Sequence, residues 1–134
     1  AFFTIQKFVP ILKNPSSVVL NTSIVVFKAF ADTSVYTASK AALESISKVL
    51  NLELAPRGIR INVVSPGVTQ SPIQKKSGMS DEAIANLLAH FSATSPIGRI
   101  VQPTDIAPIV GFLLSDDSQI LRNEKIIVDG GTTM

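Results

Sequence analysis

One tyrosine and one lysine stand four positions apart in the stretch VYTASKAALES, and Tyr36 is the only tyrosine among the 134 residues. Positions four apart lie on the same face of a helix, so Tyr36 and Lys40 can point into one cleft. A free phenol has a pKa of about 10, and a neighbouring ammonium favours its phenolate. The pair therefore predicts a general acid or base, although the spacing alone also fits a packed tyrosine beside a surface charge.

A serine and a Pro-Gly pair follow two predicted strands. Ser23 comes after the β-branched run SSVVLNT, and Pro66 with Gly67 comes after IRINVVS. Ligands of open parallel sheets bind at the carboxyl ends of the strands, so we expect these residues and the start of the tyrosine helix to share one crevice. There a serine hydroxyl can orient a carbonyl oxygen, and a glycine lets backbone approach a flat ring. Thr69 and Ser71 offer further hydrogen bonds.

The pattern of apolar residues indicates which elements position these side chains. It predicts helices over about residues 2–12, 36–55, 81–91 and 104–114, and strands at about 18–20, 59–65 and within EKIIVDGG. Pro108 predicts an irregular first turn in the last helix. Strands that alternate with helices and read as continuous apolar runs predict a parallel sheet covered on both faces.

Three strands are fewer than the five or so of a typical sheet, and the chain holds neither a Gly-x-Gly-x-x-Gly nor a Gly-Lys-Ser/Thr pattern. The chain opens on the apolar helix AFFTIQKFVPIL without an initiator methionine. We therefore expect the nucleotide-binding half of such a fold to be absent from these residues.

Composition excludes several classes of function. Twelve basic and ten acidic residues are spread without clusters, which gives no case for nucleic acid or an anionic membrane. No apolar run reaches the roughly 18 residues of a membrane span. The chain has no cysteine, hence no disulfide framework and no thiolate metal site, and we predict a cytoplasmic location and no metal. The single histidine, His90, receives no role, and Asp129 is expected to brace the Gly-Gly turn after it.

Taken together, these residues resemble the carboxyl-terminal half of a short-chain dehydrogenase/reductase, a family of Rossmann-type oxidoreductases that use NAD or NADP. YTASK is similar to the family's Tyr-x-x-x-Lys motif, and Ser23 stands at the customary thirteen residues before the tyrosine. GIRINVVSPG and IIVDGG resemble the family's Pro-Gly turn region and its closing strand. The resemblance implies a Rossmann-like three-layer α/β/α fold, with residues 1–134 as a single partial domain of about three strands and a variable substrate lid over about 68–100.

The resemblance also implies an activity and the residues that perform it. The enzyme would transfer a hydride between NAD or NADP and a carbonyl or secondary alcohol, and the sequence leaves the choice of cofactor open. Tyr36 would exchange the proton, Ser23 would stabilise the substrate oxygen, and Lys40 would favour the phenolate and bind the nicotinamide ribose. The cofactor-binding residues implied are Tyr36, Lys40, Pro66, Gly67, Thr69 and Ser71. Apolar residues Ile24, Phe30, Ile73 and Met79 suggest a partly apolar pocket for a small-molecule substrate.

Two alternatives stay open at this stage. The 134 residues alone could be an inactive piece that persists by packing against a partner chain or the other half of the fold, because a three-stranded sheet leaves an edge uncovered. The same tyrosine and lysine could also serve a dehydratase or epimerase. The resemblance further implies a homodimer or homotetramer built from the first two helices and the closing strand. The second helix carries an apolar stripe that either covers the sheet or contacts a partner, and that is wider than one of these needs: Ala41, Ala42, Leu43, Ile46 and Leu50.

Overall fold

The computed structural model describes all residues from 1 to 134. Its helices are α1 (Phe2–Phe8), α2 (Ser34–Glu53), α3 (Ile73–Lys76), α4 (Asp81–Thr94) and α5 (Pro103–Leu114). Its strands are β1 (Ser16–Asn21), β2 (Ile59–Pro66) and β3 (Lys125–Val128). Single 3-10 turns occupy Val9–Ile11, Ile24–Val26, Ala55–Arg57 and Asp116–Ser118. None of the helices is both long and apolar enough to cross a membrane.

The three strands form one parallel sheet in the order β1-β2-β3. Asn21 at the end of β1 pairs with Val64, and Pro66 at the end of β2 pairs with Val128 at the end of β3. The carboxyl ends of all three strands therefore lie at the same edge, and the predicted parallel α/β sheet is confirmed.

Alternate residues of β2 face opposite layers of the molecule. Ile59, Ile61 and Val63 are fully buried on one face. They form a core with residues of α1, β1 and the end of α2, namely Ile5, Leu20 and Leu54. Burial of such branched side chains contributes about 1.5–3 kcal/mol each.

The opposite face of the sheet carries α5. Arg60 lies on that face and donates hydrogen bonds through Nη2 to the carbonyl oxygens of Leu113 and Ser115. Ser17, its neighbour on β1, donates to the Leu113 carbonyl oxygen at 2.7 Å. These donors satisfy carbonyls that the helix end leaves free. Helices thus cover both faces, which gives the three-layer α/β/α arrangement.

The helix α5 differs from the sequence prediction, because its first turn is regular. The helix begins at Pro103, and the Asp105 carboxylate accepts a hydrogen bond from the backbone N–H of Gln102 at 2.8 Å. A proline in the first position costs nothing there, since that N–H has no partner within the helix. Pro108 removes one later donor without interrupting the helix, so the predicted irregular turn is wrong.

The region predicted as a loop before α4 also contains the short helix α3, which the sequence prediction missed. Pro72 precedes this helix as its cap residue and does not interrupt it. The start of α4 follows the prediction, with the Ser80 hydroxyl accepting a hydrogen bond from the backbone N–H of Ala83 at 3.2 Å. The helix then continues to Thr94, three residues beyond the predicted end.

Candidate active site

A cleft of about 940 Å³ opens at the carboxyl edge of the sheet, and 23 residues line it. All of the residues singled out from the sequence as catalytic or cofactor-binding are among them: Ser23, Tyr36, Lys40, Pro66, Gly67, Thr69 and Ser71. The structure thus brings the predicted site residues to one cavity. The role of each remains a prediction.

Ser23 lies just beyond the end of β1 and caps the 3-10 turn Ile24–Val26. Its hydroxyl oxygen accepts a hydrogen bond from the backbone N–H of Val25 at 3.4 Å. The residue is 9% exposed, so its position is set by its surroundings. A hydroxyl that accepts here still has its own proton to donate toward the cleft.

Tyr36 and Lys40 occupy the first two turns of α2. Lys40 places its Nζ atom 5.6 Å from the centroid of the Tyr36 ring, within the range of a cation–π contact. The same ammonium donates a hydrogen bond to the carbonyl oxygen of Asn21 at 3.1 Å. The tyrosine is 43% exposed, which leaves it open to the cleft. The helix therefore presents the two groups side by side, as its spacing predicts.

Gly67 lies against the turn that follows β3. A Cβ atom at this glycine would stand 2.8 Å from the Cα of Asp129, closer than carbon atoms approach. The Asp129 carboxylate accepts hydrogen bonds from the backbone N–H groups of Gly131 and Thr133, each at 2.8 Å. The predicted bracing role of Asp129 is confirmed, and the contact explains why position 67 carries no side chain.

Thr69 and Ser71 begin the segment predicted to be the substrate lid. The Thr69 hydroxyl donates to the carbonyl oxygen of Gly67 at 2.9 Å, and the Thr69 carbonyl accepts from the side chain of Gln74 at 2.9 Å. The Ser71 hydroxyl accepts a hydrogen bond from the backbone N–H of Ile73 at 3.4 Å. Both residues thus connect the end of β2 to α3.

A buried polar cluster beneath the cleft escaped the sequence reasoning. Glu44, one turn beyond Lys40 on α2, is 3% exposed, and its carboxylate lies 2.6 Å from the ammonium of Lys125 on β3. The Thr22 hydroxyl donates to the same carboxylate at 3.3 Å and lies 2.7 Å from the Ser65 hydroxyl. Thr22 precedes the candidate serine and Ser65 precedes the Pro-Gly pair. The cluster therefore connects α2 to all three strands.

The remaining wall of the cleft is apolar and comes from the loop before α2 and from the helices α4 and α5. Its principal members are Phe30, Leu87, Phe91, Ile106 and Val110. Of the four residues predicted to make the pocket apolar, Ile24, Phe30 and Ile73 line it and Met79 does not. The spacing of four between the members on each helix is the sequence signal for this wall.

An ion pair connects the segment after α4 to the start of α5. Arg99 donates two hydrogen bonds to the Asp105 carboxylate, at 2.6 and 2.9 Å. The hydrogen bond from Arg99, together with that from the backbone of Gln102, lowers the pKa of Asp105 to about 2. The same hydrogen bond raises the pKa of Arg99. The pair holds one end of the predicted lid.

A parallel sheet between helical layers, with a serine, a tyrosine and a lysine around a cleft at its carboxyl edge, defines a protein of the Rossmann-type α/β class. Comparison with known proteins agrees. The family model for enoyl-(acyl carrier protein) reductase matches residues 1–133. The chain belongs to the short-chain dehydrogenase/reductase family.

Individual relatives support this membership. The 2,3-dihydro-2,3-dihydroxybenzoate dehydrogenase of Escherichia coli K12 is 42% identical over 105 residues, which cover 75% of this chain and 42% of the relative. A solved structure of a small-chain dehydrogenase in complex with NADPH is 30% identical, with a TM-score of 0.90, and the match covers 98% of this chain and 57% of that one. An angucycline C-6 ketoreductase with bound NADP is 29% identical, with a TM-score of 0.83, over 98% and 49% of the two chains.

The matches cover only part of each relative's length. The chain spans about half the length of the curated relatives it matches, with shares of those relatives between 38% and 49%. The activity of the whole protein is therefore treated below as a proposal.

Proposed function

We propose that the protein is an NAD(P)-dependent oxidoreductase that interconverts a carbonyl compound and a secondary alcohol, with Tyr36 as the general acid and base. The observation that carries the proposal is the shared cleft. Ser23 after β1 and the pair Tyr36 and Lys40 on α2 line the same cavity, and the lysine ammonium lies 5.6 Å from the tyrosine ring. A phenol hydroxyl can give a proton to a substrate oxygen or take one from it.

The cleft fits the nicotinamide end of such a cofactor. Gly67 lines the cleft, and its close packing against Asp129 fixes the backbone of the turn that would lie beside the nicotinamide ring. The residues that would hold the cofactor are Lys40, Pro66, Gly67, Thr69 and Ser71, which all line the cavity. A nicotinamide cofactor, when bound, supplies or accepts the hydride.

The residues of the chain supply the proton and the orientation. In the direction of reduction the Tyr36 hydroxyl gives its proton to the carbonyl oxygen, and in oxidation the phenolate takes the proton of the alcohol. The Ser23 hydroxyl donates a hydrogen bond to the same oxygen. The hydrogen bond from Lys40 to the Asn21 carbonyl holds the ammonium beside the tyrosine ring.

The names of the relatives support this reaction. They include a dehydrogenase and a ketoreductase, and the two structures described above were solved with NADPH and NADP. Both NAD and NADP stay within the proposal for this chain. A dehydratase or epimerase would need the same tyrosine and lysine but no carbonyl-dependent consumption of reduced cofactor.

Self-association is part of the proposal. Apolar side chains on the outer surfaces of α1 and α2 are exposed, among them Phe3 at 76% and Leu52 at 79%. Exposed apolar surface on adjacent helices is typical of an interface. We expect a homodimer or homotetramer, to be measured by light scattering on the purified protein; a monomer at micromolar concentration would contradict this part.

The activity is tested with the protein expressed from its full coding sequence. Initial rates of NADH and NADPH oxidation are measured with a panel of ketones, and the reverse reaction with secondary alcohols. Oxidation that depends on the carbonyl compound, with one alcohol formed per cofactor consumed, is the expected result. Conversion of hydroxylated substrates without net cofactor oxidation would replace the proposal with the dehydratase or epimerase alternative.

A further inference from the structure

The candidate cleft combines a polar wall with an apolar wall. Its polar groups come from the strand ends and from α2, whereas its apolar groups come from the loop before α2 and from α4 and α5. Twelve of the 23 lining residues are hydrophobic. A site of this composition orients a ligand through a few polar groups and binds most of its surface through apolar contact.

Two phenylalanines from separate segments meet in the apolar wall. The ring centroids of Phe30, before α2, and Phe91, on α4, are 6.0 Å apart, with their planes inclined at 50°. Both residues are half-buried and both line the cleft. Leu87 lies one turn before Phe91 on the same helix and lines the cleft as well. The rings and this leucine offer faces and edges against which a flat ring can pack.

A second apolar row faces the same cavity from α5. Ile106 and Val110 lie four positions apart on this helix and both line the cleft. The apolar wall therefore includes two helices and one loop. A ligand that filled it would need apolar surface on more than one side.

The charged side chains of the lid do not line the cleft. Lys40 is the one lining residue with a formal charge at neutral pH, and it already contacts the Asn21 carbonyl and the tyrosine ring. The lid residues Lys75 and Asp81 pair with each other at 3.1 Å on the exposed surface. A carboxylate or phosphate against the apolar wall would lose its hydration without gaining a partner there, which is unfavourable.

We propose that the substrate is a neutral carbonyl compound, or the corresponding alcohol, that carries a flat and mostly apolar ring system. The carbonyl oxygen lies at Ser23 and Tyr36, and the ring packs against Phe30 and Phe91. This inference rests on the proposed function, because the reaction places the oxygen at the tyrosine. It adds the chemical class of the group that fills the rest of the cleft.

Three ketones test the inference on the protein expressed from its full coding sequence. They are a naphthyl methyl ketone, the same ketone with a carboxylate on its ring, and acetone. We expect kcat/KM for the neutral naphthyl ketone to exceed that of each of the other two by about tenfold or more. Equal or better use of the carboxylated ketone or of acetone would overturn the inference while leaving the proposed reaction intact.

Variants in the apolar wall test whether Phe91 causes the preference for the naphthyl ketone. Phe91→Ala, and Phe91→Leu as a variant that keeps apolar volume without the ring, should lower the ratio of kcat/KM for naphthyl ketone to that for acetone by about tenfold, mainly through KM. Phe112→Ala is the matched control, since Phe112 lies on α5, is 40% exposed and does not line the cleft. The same ratio in the Phe91 variants as in the native protein would contradict the inference.

A binding experiment tests the inferred ligand class without requiring turnover. The probe is prodan, a neutral naphthyl ketone whose emission shifts to the blue in an apolar site and which is excited at wavelengths where protein aromatic side chains do not absorb. We expect saturable binding that Phe91→Leu weakens about tenfold and Phe112→Ala leaves unchanged. If no ketone is turned over, the proposed function fails, and this binding still tests the ligand class. The inference would be overturned if prodan bound native protein and Phe91→Leu with equal affinity, or if its binding did not saturate.

Discussion

The ammonium of Lys40 donates a hydrogen bond to the carbonyl oxygen of Asn21, with 3.1 Å between Nζ and O. This bond joins the second turn of α2 to the end of β1. Asn21 stands two residues before Ser23, so one contact relates the helix that carries the tyrosine to the loop that carries the serine. One side chain therefore connects the helix of Tyr36 to the strand end that precedes Ser23.

Replacing this lysine should impair both the reaction and cofactor binding. Lys40→Met removes the cation beside the tyrosine and the bond to Asn21. A hydrogen bond from a charged group is worth about 1.5–3 kcal/mol, so kcat/KM should fall about tenfold to a hundredfold, with weaker cofactor binding. Lys48→Met, at an exposed position of the same helix, is the control. Native kinetics in Lys40→Met would contradict the positioning role.

Glu44 should contribute strongly to stability. Its carboxylate is buried and pairs with Lys125, which is 28% exposed, at 2.6 Å. Breaking a buried pair by removing one partner costs about 3–5 kcal/mol, and the exposure of the lysine places the expected loss at about 3 kcal/mol for Glu44→Ala. Urea unfolding measures this loss. Glu53→Ala, an exposed glutamate of the same helix, should stay within about 0.5 kcal/mol of the native protein.

A double-mutant cycle separates the ion pair from the remaining contacts of Glu44. Lys125→Met combined with Glu44→Ala should destabilise by less than the sum of the single changes, because each single change leaves one partner unpaired. Additive losses would show that the pair itself contributes nothing.

Two glycine-to-alanine changes should act in opposite directions. At Gly67 a Cβ would stand 2.8 Å from the backbone of Asp129, so Gly67→Ala should destabilise by about 1–3 kcal/mol. At Gly111, inside α5, a Cβ would meet no atom within 4 Å, and alanine should stabilise the helix by up to about 1 kcal/mol. Thermal unfolding should therefore show a lower Tm for the first and a higher Tm for the second. A Tm of Gly67→Ala at or above the native value would contradict the close contact.

The Arg99–Asp105 pair predicts a dependence of stability on pH. The pKa of Asp105 is lowered from 3.8 to about 2 in the folded protein. A carboxylate with a lowered folded-state pKa stabilises the fold above its unfolded pKa, and this stabilisation is lost as the pH falls through the folded value. Native protein should therefore exceed Asp105→Asn in Tm by a constant amount above about pH 5. The difference should shrink from about pH 4 towards pH 2; a difference that does not shrink would exclude this pair as its source.

Short-range patterns were sufficient to predict much of the fold and the candidate site. The spacing of Tyr36 and Lys40 determines a shared helical face, and the position of Ser23 after a β-branched run determines its place at a strand end. These relations depend on neighbours in the chain. The structure accordingly places all of the predicted site residues around one cleft.

Features that depend on distant parts of the chain were not predictable in this way. Glu44 reads as a solvated helix residue, and its burial depends on Lys125, which reaches it from the last strand. Leu87 and Phe91 predict an apolar helix face, but what that face covers is decided by how α4 packs near Phe30. The regular first turn of α5 was not predicted. It is stabilised by the capping hydrogen bond to Asp105, which outweighs the loss of one backbone donor at Pro108.

The most direct test of the proposed function is the turnover number of Tyr36→Phe. General acid–base catalysis contributes about a hundredfold to ten-thousandfold, so removing the hydroxyl should lower kcat by that factor. Binding of NADPH, measured by fluorescence, should stay close to native, because the ring and Lys40 remain. Ser45→Ala, an exposed hydroxyl on the same helix, should keep native kcat. A Tyr36→Phe variant with native kcat would contradict the assignment of the proton to this residue.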